Sequence, residues 1–405
     1  MLQKPRGTRD FLPEEMEQRR EIEMRMRRVA GLFGYHEVLT PTFENQELYT
    51  IKSGEGIIGE MYTFEDKGGR KLALRPEGTA AILRMYLNEA KVLPKPIRWC
   101  YLLDCYRYER PQKGRYRQFW QFGSELIGAD TAAGDAEIIL LADGLLRAAG
   151  VRFSLQVGHL APMKHILLDL GEEDKKRVMA LLDKRSFDEL EACLNDTGKP
   201  ELYDKLTALI ECTTIDEAKE VCGDFPGMER MEEMLGILDS QKLEYSLNLG
   251  IVRGLDYYTG MVFEGFAENL GAENQIIGGG SYRLAHLFGG EDTPSCGFGI
   301  GFDRVMVSRG EVELKRDPLV AILYTQEGQK RAFEVAGMLR REGIRTEINL
   351  LDRGVGAQMK HASRTAPYAI LIGKNEVESG TVTLKNLASG DQVECKLDDL
   401  PGEVR

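Results

Sequence analysis

The sequence predicts an α+β chain: an antiparallel sheet with flanking helices, an inserted helical module, and a C-terminal α/β domain with a mixed sheet. Three observations carry this. At 405 residues the chain exceeds one ordinary core, so two or three domains are expected. The alternating runs "IRWCYLLDCYRYER" and "RYRQFWQFGSELIG" flank the turn-forming "PQKG", most simply an antiparallel pair. Residues from about 161 to 240 are charged and helical, and strand signals return from Ser246.

Taken in order, Leu12 to Phe33 reads as a helix. Pro13 suits its first turn, and Ile22, Met26, Val29, Ala30 and Phe33 recur at helical spacing. "YHEVLTPTFEN" reads as a strand ended by Pro41, and "KLALRPEGTAAILRMYL" as a short strand, a turn and a helix. In the helical module, Ser186-x-x-Glu189 and Thr214-x-x-Glu217 are capping boxes. "SLNLGIVRGLDYYTGMVFEGF" and "QIIGGGSYRLAHLFGG" restore the strand pattern. "SRGEVELKRDP" reads as a linker. Beyond it "LVAILYT", "RTEINLL" and "YAILIG" alternate with helices, and "GTVTLKNL" and "DQVECKL" follow as two further strands. The expected domains are 1–160 with 241–310, the insertion 161–240, and 318–405.

Composition narrows the function classes. The net charge of −12 argues against nucleic-acid binding driven by bulk charge, though not against a local basic site. Seven scattered cysteines without a CxxC pair read as reduced thiols, and five dispersed histidines offer no metal-ligand spacing, so no metal site is expected. No apolar run approaches the ~20 residues of a membrane helix, and the N-terminus lacks a signal-peptide h-region, so no membrane association and a cytoplasmic location are expected.

Against that acidic background, "YRYERPQKGRYRQFWQF" concentrates Arg107, Arg110, Lys113, Arg115 and Arg117. Arginine forks bind phosphate bidentately. Strand alternation puts Arg117, Phe119, Gln121, Gly123 and Glu125 on one face, where Phe119 can stack on a base, Gly123 admits a close ligand, and Gln121 and Glu125 can hold an amine. A solvated polar face is the plainer alternative. Glu77 and Thr79 in "LRPEGTAA" open a helix, where Glu77 is either a dipole-favoured cap or the acceptor of a ligand ammonium. Arg253 in "VRGLDYYTG" either pairs with Asp256 or meets a substrate anion. "IIGGGSYR" and "GFGIGFDR" offer close backbone approach but match neither the Walker A nor the dinucleotide fingerprint.

Together these stretches resemble one family. "RYERPQKGRYRQFWQFGSELIG" resembles motif 2 of class II aminoacyl-tRNA synthetases in its histidyl form. "RGLDYYTG" resembles the histidyl signature, "GFGIGFDR" motif 3, "LRPEGT" the histidine-pocket turn, and the last domain the class IIa anticodon-binding domain. The resemblance to histidyl-tRNA synthetases, possibly of the archaeal type, spans nearly the whole chain. It implies a class II catalytic domain and a ligase that activates L-histidine with ATP and Mg²⁺, releases pyrophosphate, and charges tRNA(His). It also implies a homodimer. By position, Glu77, Thr79, Gln121, Glu125, Tyr258 and Tyr282 would bind histidine, and Arg107 and Arg253 would act catalytically at the α-phosphate. Phe119 would stack on adenine, Arg115 and Arg304 would face the outer phosphates, and Arg110 and Gln112 the tRNA acceptor end.

Two departures stand out. The family has Arg and Asp around the tyrosine where this chain has Ser281 and Arg283, and Arg283 is a candidate to reuse that charge. Trp120 stands where a histidine is common. The alternative is the histidine-binding regulatory paralogue of ATP phosphoribosyltransferase. By resemblance that paralogue lacks the anticodon domain and erodes the motif arginines, whereas residues 319–400, Arg107, Arg253 and Arg304 are present here.

Overall fold

A computed structural model describes residues 2–404 apart from 111–113, 253–256, 271–273, 312–313 and 315–316. The chain divides into two compact units, Met1–Val312 and Glu313–Arg405.

The first unit opens with α1 (Pro13–Leu32), with Leu12 and Phe33 at its ends and Ile22, Met26 and Ala30 fully buried. The expected next strand splits at Pro41 into β1 (His36–Glu37) and β2 (Phe43–Asn45), which join different sheets. Proline lacks the N–H that a continuous ladder needs. After α2 (Glu47–Ser53) come β3 (Thr63–Glu65), β4 (Lys71–Leu74) and α3 (Thr79–Met85); β2, β4 and β3 form a small antiparallel sheet. Then follow β5 (Ile97–Tyr106), β6 (Gln118–Ile127), α4 (Ala132–Ala148), β7 (Phe153–His159) and α5 (Leu160–Ile166). The expected pairing of β5 and β6 is present and antiparallel, with Tyr101 opposite Gly123.

The helical stretch contains α6 (Glu172–Asp183), α7 (Phe187–Asp196), α8 (Glu201–Glu211), α9 (Ile215–Cys222) and α10 (Met228–Ser240). Thr214 and Glu217 form the expected capping box, but Ser186 makes no side-chain cap bond. Its ψ of 71° departs from the extended conformation that turns a capping hydroxyl onto the helix. These helices lie within the first unit. Val178, Leu190, Leu206 and Met231 share one apolar core with Ile139 of α4 and Phe263 of the sheet.

Next come β8 (Ser246–Leu247), β9 (Tyr258–Ala267), β10 (Gln275–Tyr282), β11 (Ser295–Gly301) and α11 (Phe302–Ser308). The large sheet runs β1-β5-β6-β11-β10-β9-β7-β8, antiparallel except at its two outermost pairs. Phe122, Leu126, Phe298, Ile300 and Ile277 lie on the face that joins α1 and α4 in the core, which leaves the other face free to carry a site.

The second unit has β12 (Val320–Tyr324), α12 (Gln329–Arg341), β13 (Thr346–Ile348), α13 (Val355–Thr365), β14 (Tyr368–Ile372), α14 (Lys374–Ser379), β15 (Thr381–Asn386), β16 (Gln392–Lys396) and α15 (Leu400–Glu403). Its sheet order is β13-β12-β14-β15-β16, parallel among the first three strands and antiparallel beyond, the mixed sheet the pattern predicts. Ile322, Val335, Leu339 and Ile370 fill its core.

A buried ion cluster ties the N-terminal segment to the large sheet. Asp303 accepts from Arg9 and Arg19, both at 2.9 Å, and from the Trp120 backbone N–H at 2.8 Å. The Arg19 guanidinium also lies over the rings of Phe11, Trp120 and Phe302, and both Arg19 and Asp303 are almost wholly excluded from solvent. Removing one partner strands the other charge in an apolar setting. Asp303→Ala is therefore expected to destabilise the first unit by about 3–5 kcal/mol, read as a lowered urea midpoint; an unchanged midpoint would refute the anchoring role.

Candidate active site

The free face of the large sheet carries a cavity of about 760 Å³, within the range of small-molecule sites. Its floor follows from strand register. Gly123, Gly299, Gly278 and Glu264 stand side by side across β6, β11, β10 and β9, and Glu125, Gly297, Gly280 and Val262 form the next row. A Cβ on Gly297 would sit 1.9 Å from Glu125 Oε2, and one on Gly299 2.2 Å from Gln121 Nε2, so only glycine lets these side chains lie flat across the sheet. Gly123 has a different role from the one its sequence suggests. The Tyr101 ring fills the space above it, 2.2 Å from where a Cβ would be, so no ligand approaches the backbone there.

At one end stands a carboxylate and hydroxyl cluster. Glu125 is fully buried and accepts from Thr79 Oγ1 at 2.8 Å, Tyr101 OH at 3.1 Å and Tyr282 OH at 2.5 Å. It lies one layer beneath the cavity wall, which Thr79 and Tyr282 form. Burial raises its pKa to about 7 even though the Tyr282 and Thr79 hydroxyls favour the anion. Glu77 accepts from the backbone N–H groups of Thr79 at 2.7 Å and Ala80 at 3.1 Å, so it does cap α3. It also pairs with Lys52 Nζ at 3.2 Å. Burial alone would raise Glu77, but Lys52 and the two N–H groups outweigh it and hold the carboxyl below its ordinary range. Gln121 Oε1 accepts from Gly78 N–H at 3.1 Å, which fixes the turn before α3. Tyr258 lines the same end, its ring 4.4 Å from that of Tyr257.

At the other end are arginines. Arg107 donates from Nε to the Pro76 carbonyl at 2.9 Å, with its guanidinium 5.3 Å from the Phe119 ring centroid. Arg115 pairs with Glu109, and Arg304 donates to the Gln275 carbonyl. Arg107, Arg115, Phe119 and Arg304 all line the cavity, whereas Arg110 is exposed and outside its lining. Arg253 and Gln112 lie outside the described residues. Arg117 turns away and stacks on Tyr108 at 4.2 Å.

Sequence reading missed Lys52, Tyr101 and Tyr257. Lys52 comes from α2, and its ammonium also lies 4.7 Å from the Tyr257 ring centroid. Nothing in "YTIKSGEG" distinguishes it from a solvated helix lysine. Arg283 pairs with Asp130 and Asp292, and the Asp135 carboxylate behind the sheet is met instead by Ser281 and Arg230.

The raised pKa of Glu125 has a definite consequence for stability. Between its ordinary value of 4.5 and about 7 the native state holds a proton that the unfolded chain has released. This contribution is present below that window and is lost as pH rises through it. Glu125→Gln cannot titrate, so the stability of wild type relative to Glu125→Gln is expected to fall across the window and then level off. Urea unfolding of both proteins over this range checks it, and a flat difference refutes it.

Comparison with known proteins agrees with this architecture. A family model described as "Histidyl-tRNA synthetase" matches residues 7–305, and one described as "Anticodon binding domain" matches 319–405. A histidine–tRNA ligase of Methanoculleus marisnigri is 63% identical over 404 residues, covering 100% of this chain and 98% of that protein. The solved structure of apo S. aureus histidyl-tRNA synthetase superposes with a TM-score of 0.75 at 26% identity, covering 100% of both chains. A Bacillus halodurans structure titled as an ATP phosphoribosyltransferase regulatory subunit/histidyl-tRNA synthetase gives 0.78 at 26% identity, covering 92% of this chain and 98% of that one. The glycine-floored cavity and the two matched regions have one consistent reading: this chain belongs to the histidyl-tRNA synthetase family.

Proposed function

We propose that the cavity of the first unit is where this histidine–tRNA ligase forms histidyl-adenylate. The observation that carries the reading is the cavity's polarity: carboxylate and hydroxyl groups at one end, and Arg107 and Arg304 at the other, over a floor of glycines. An amino acid presents an ammonium group and a nucleotide presents phosphates, so each finds its complement at opposite ends.

In this assignment Glu77, with Thr79 and Gln121, receives the α-ammonium and orients the amino acid. Histidine's ammonium would take the place of Lys52 on Glu77, whose ionised state Lys52 maintains beforehand. Tyr258 and Tyr282 flank the imidazole, and Glu125 orients the Tyr282 hydroxyl from below. A pocket with buried hydrogen-bonding groups rejects analogues lacking them by ~10⁴–10⁵. Phe119 stacks on adenine. Arg115 and Arg304 hold the outer phosphates, and Arg107, with Arg253, holds the α-phosphate. Arg110 and Gln112 would meet the tRNA acceptor end.

In the first step a histidine carboxylate oxygen forms a bond to the α-phosphorus, the bridging bond to the β-phosphate breaks, and pyrophosphate leaves. Both reactants are anions, so positioning and charge neutralisation dominate the barrier. In the second step a terminal ribose hydroxyl of tRNA(His) attacks the adenylate carbonyl and AMP departs, a phosphate oxygen of the adenylate serving to take the proton. Mg²⁺ supplies further charge neutralisation on the phosphates. Half-buried Glu264, on the cavity wall with Oε1 2.8 Å from Gln275 Nε2, offers the hard oxygen that this ion prefers. A homodimer and a cytoplasmic location complete the proposal.

Histidine-dependent ATP–pyrophosphate exchange tests it directly. Exchange is expected with histidine and with no other amino acid. Arg107→Ala and Arg253→Ala are each expected to lower kcat by roughly 10²–10³. A folded wild-type protein that binds histidine without exchange would overturn the assignment.

A further inference from the structure

Tyr282 is the last residue of β10, and the residue before it points the other way. Ser281 faces the back of the sheet, where its Oγ donates to Asp135 Oδ1 at 2.5 Å. Asp135 sits in the first turn of α4 and is almost wholly buried. Its other oxygen accepts from Arg230, whose Nε and Nη2 lie at 2.8 and 2.7 Å. Arg230 lies in the first turn of α10, in the helical stretch. Its remaining Nη1 pairs with Asp130, which also meets Arg283. Among the described residues Arg230 is the cation in contact with Asp135.

The position of Ser281 makes this tether consequential. The pairing of β10 with β9 slips between Gly280, opposite Val262, and Tyr282, opposite Tyr258. On its other side β10 stays in regular register with β11, Ser281 opposite Cys296 and Tyr282 opposite Ser295. The slip leaves the strand end short of regular backbone bonds on its β9 side alone, so side-chain tethers help to set where that edge lies. Two such tethers act at Ser281, where Thr259 Oγ1 donates to its carbonyl at 3.2 Å and its own hydroxyl binds Asp135, and a third holds the Tyr282 hydroxyl on Glu125. A carboxylate this deeply buried also needs its cation to stay ionised. A change at Arg230 would therefore pass through Asp135 and Ser281 to the adjacent tyrosine.

We propose that Arg230 is a positioning residue for the amino-acid pocket: through Asp135 and Ser281 the helical stretch holds the slipped end of β10, and with it Tyr282. The inference rests on the reading of Tyr282 as a wall of the histidine pocket. The guanidinium that neutralises Asp135 comes from α10 rather than from β10. A second cavity, of about 370 Å³ and lined by Ser281, Arg230, His159 and Arg283, lies beside this junction and leaves room for a longer side chain on β10.

The test is steady-state pyrophosphate exchange with Arg230→Gln, Arg230→Lys, Tyr282→Ala, and the double variant Arg230→Gln with Ser281→Arg. Arg230→Gln is expected to raise KM for histidine roughly tenfold while leaving KM for ATP near wild type. The lysine variant should fall between, because one ammonium cannot serve Asp135 and Asp130 as a fork does. The double variant returns a guanidinium to Asp135 and should recover histidine KM. An unchanged histidine KM in folded Arg230→Gln overturns the proposal. So does an equal rise in both KM values, which would mean general loosening, or failure of the double variant to recover. Should Arg230→Gln not fold, the lysine variant carries the same comparison. If Tyr282→Ala, which removes the ring that lines the cavity, also leaves histidine KM unchanged, the pocket assignment fails instead.

Discussion

A carboxylate with no solvent contact in the middle of a sheet organises this molecule. Burying Glu125 is costly unless its oxygens are satisfied. Three hydroxyls satisfy them, from Thr79 at the start of α3, Tyr101 on β5 and Tyr282 on β10. Each donor belongs to a different element, so meeting one buried group draws three elements together. Gly297, directly opposite on β11, supplies the space, because any side chain there would occupy the position of the carboxylate. Once α3 is fixed in this way, Glu77 at its N-terminus faces the cavity, and its own two backbone bonds hold it there.

Around that constraint the cavity acquires its polarity. A chain with net charge −12 keeps several arginines at one end of a single cavity, each held by a neighbour. Pro76 carbonyl orients Arg107, Glu109 pairs with Arg115, and the Gln275 carbonyl holds Arg304. On the proposed assignment, such preorganisation means that little reorganisation is needed when charge develops on a phosphate. The Asp303 cluster borders the same end, since Asp303 and Trp120 reach the cavity lining while joining α1, the start of β6 and the first turn of α11, next to Arg304.

The helical stretch has a connection to this chemistry through the reverse face of the sheet. Arg230, Asp135 and Ser281 lie in different elements, yet they form one hydrogen-bonded line that ends beside Tyr282. A pocket wall at a slipped strand end depends on such support more than one within a regular ladder.

Much of this was legible in the chain itself. Helical spacing of Ile22, Met26 and Ala30 determined α1, alternation around "PQKG" determined the β5–β6 pair, and alternating strands and helices determined the mixed sheet of the second unit. These are local patterns, and backbone periodicity acts over a few residues. The short motifs also marked Glu77, Thr79, Gln121, Arg107 and Arg304, which the fold brings to one cavity. Other features depended on partners far away in sequence. Arg19 and Asp303 are 284 positions apart, Ser281 and Asp135 are 146 apart, and Lys52 reaches Glu77 from a separate helix. Whether Gly123 faces a ligand or a tyrosine ring, and which carboxylates Arg283 meets, depends on which side chains share a volume. Local sequence determined the elements and most of the reactive groups. Only tertiary packing decided which of those groups are neutralised, by which partner, and at what depth.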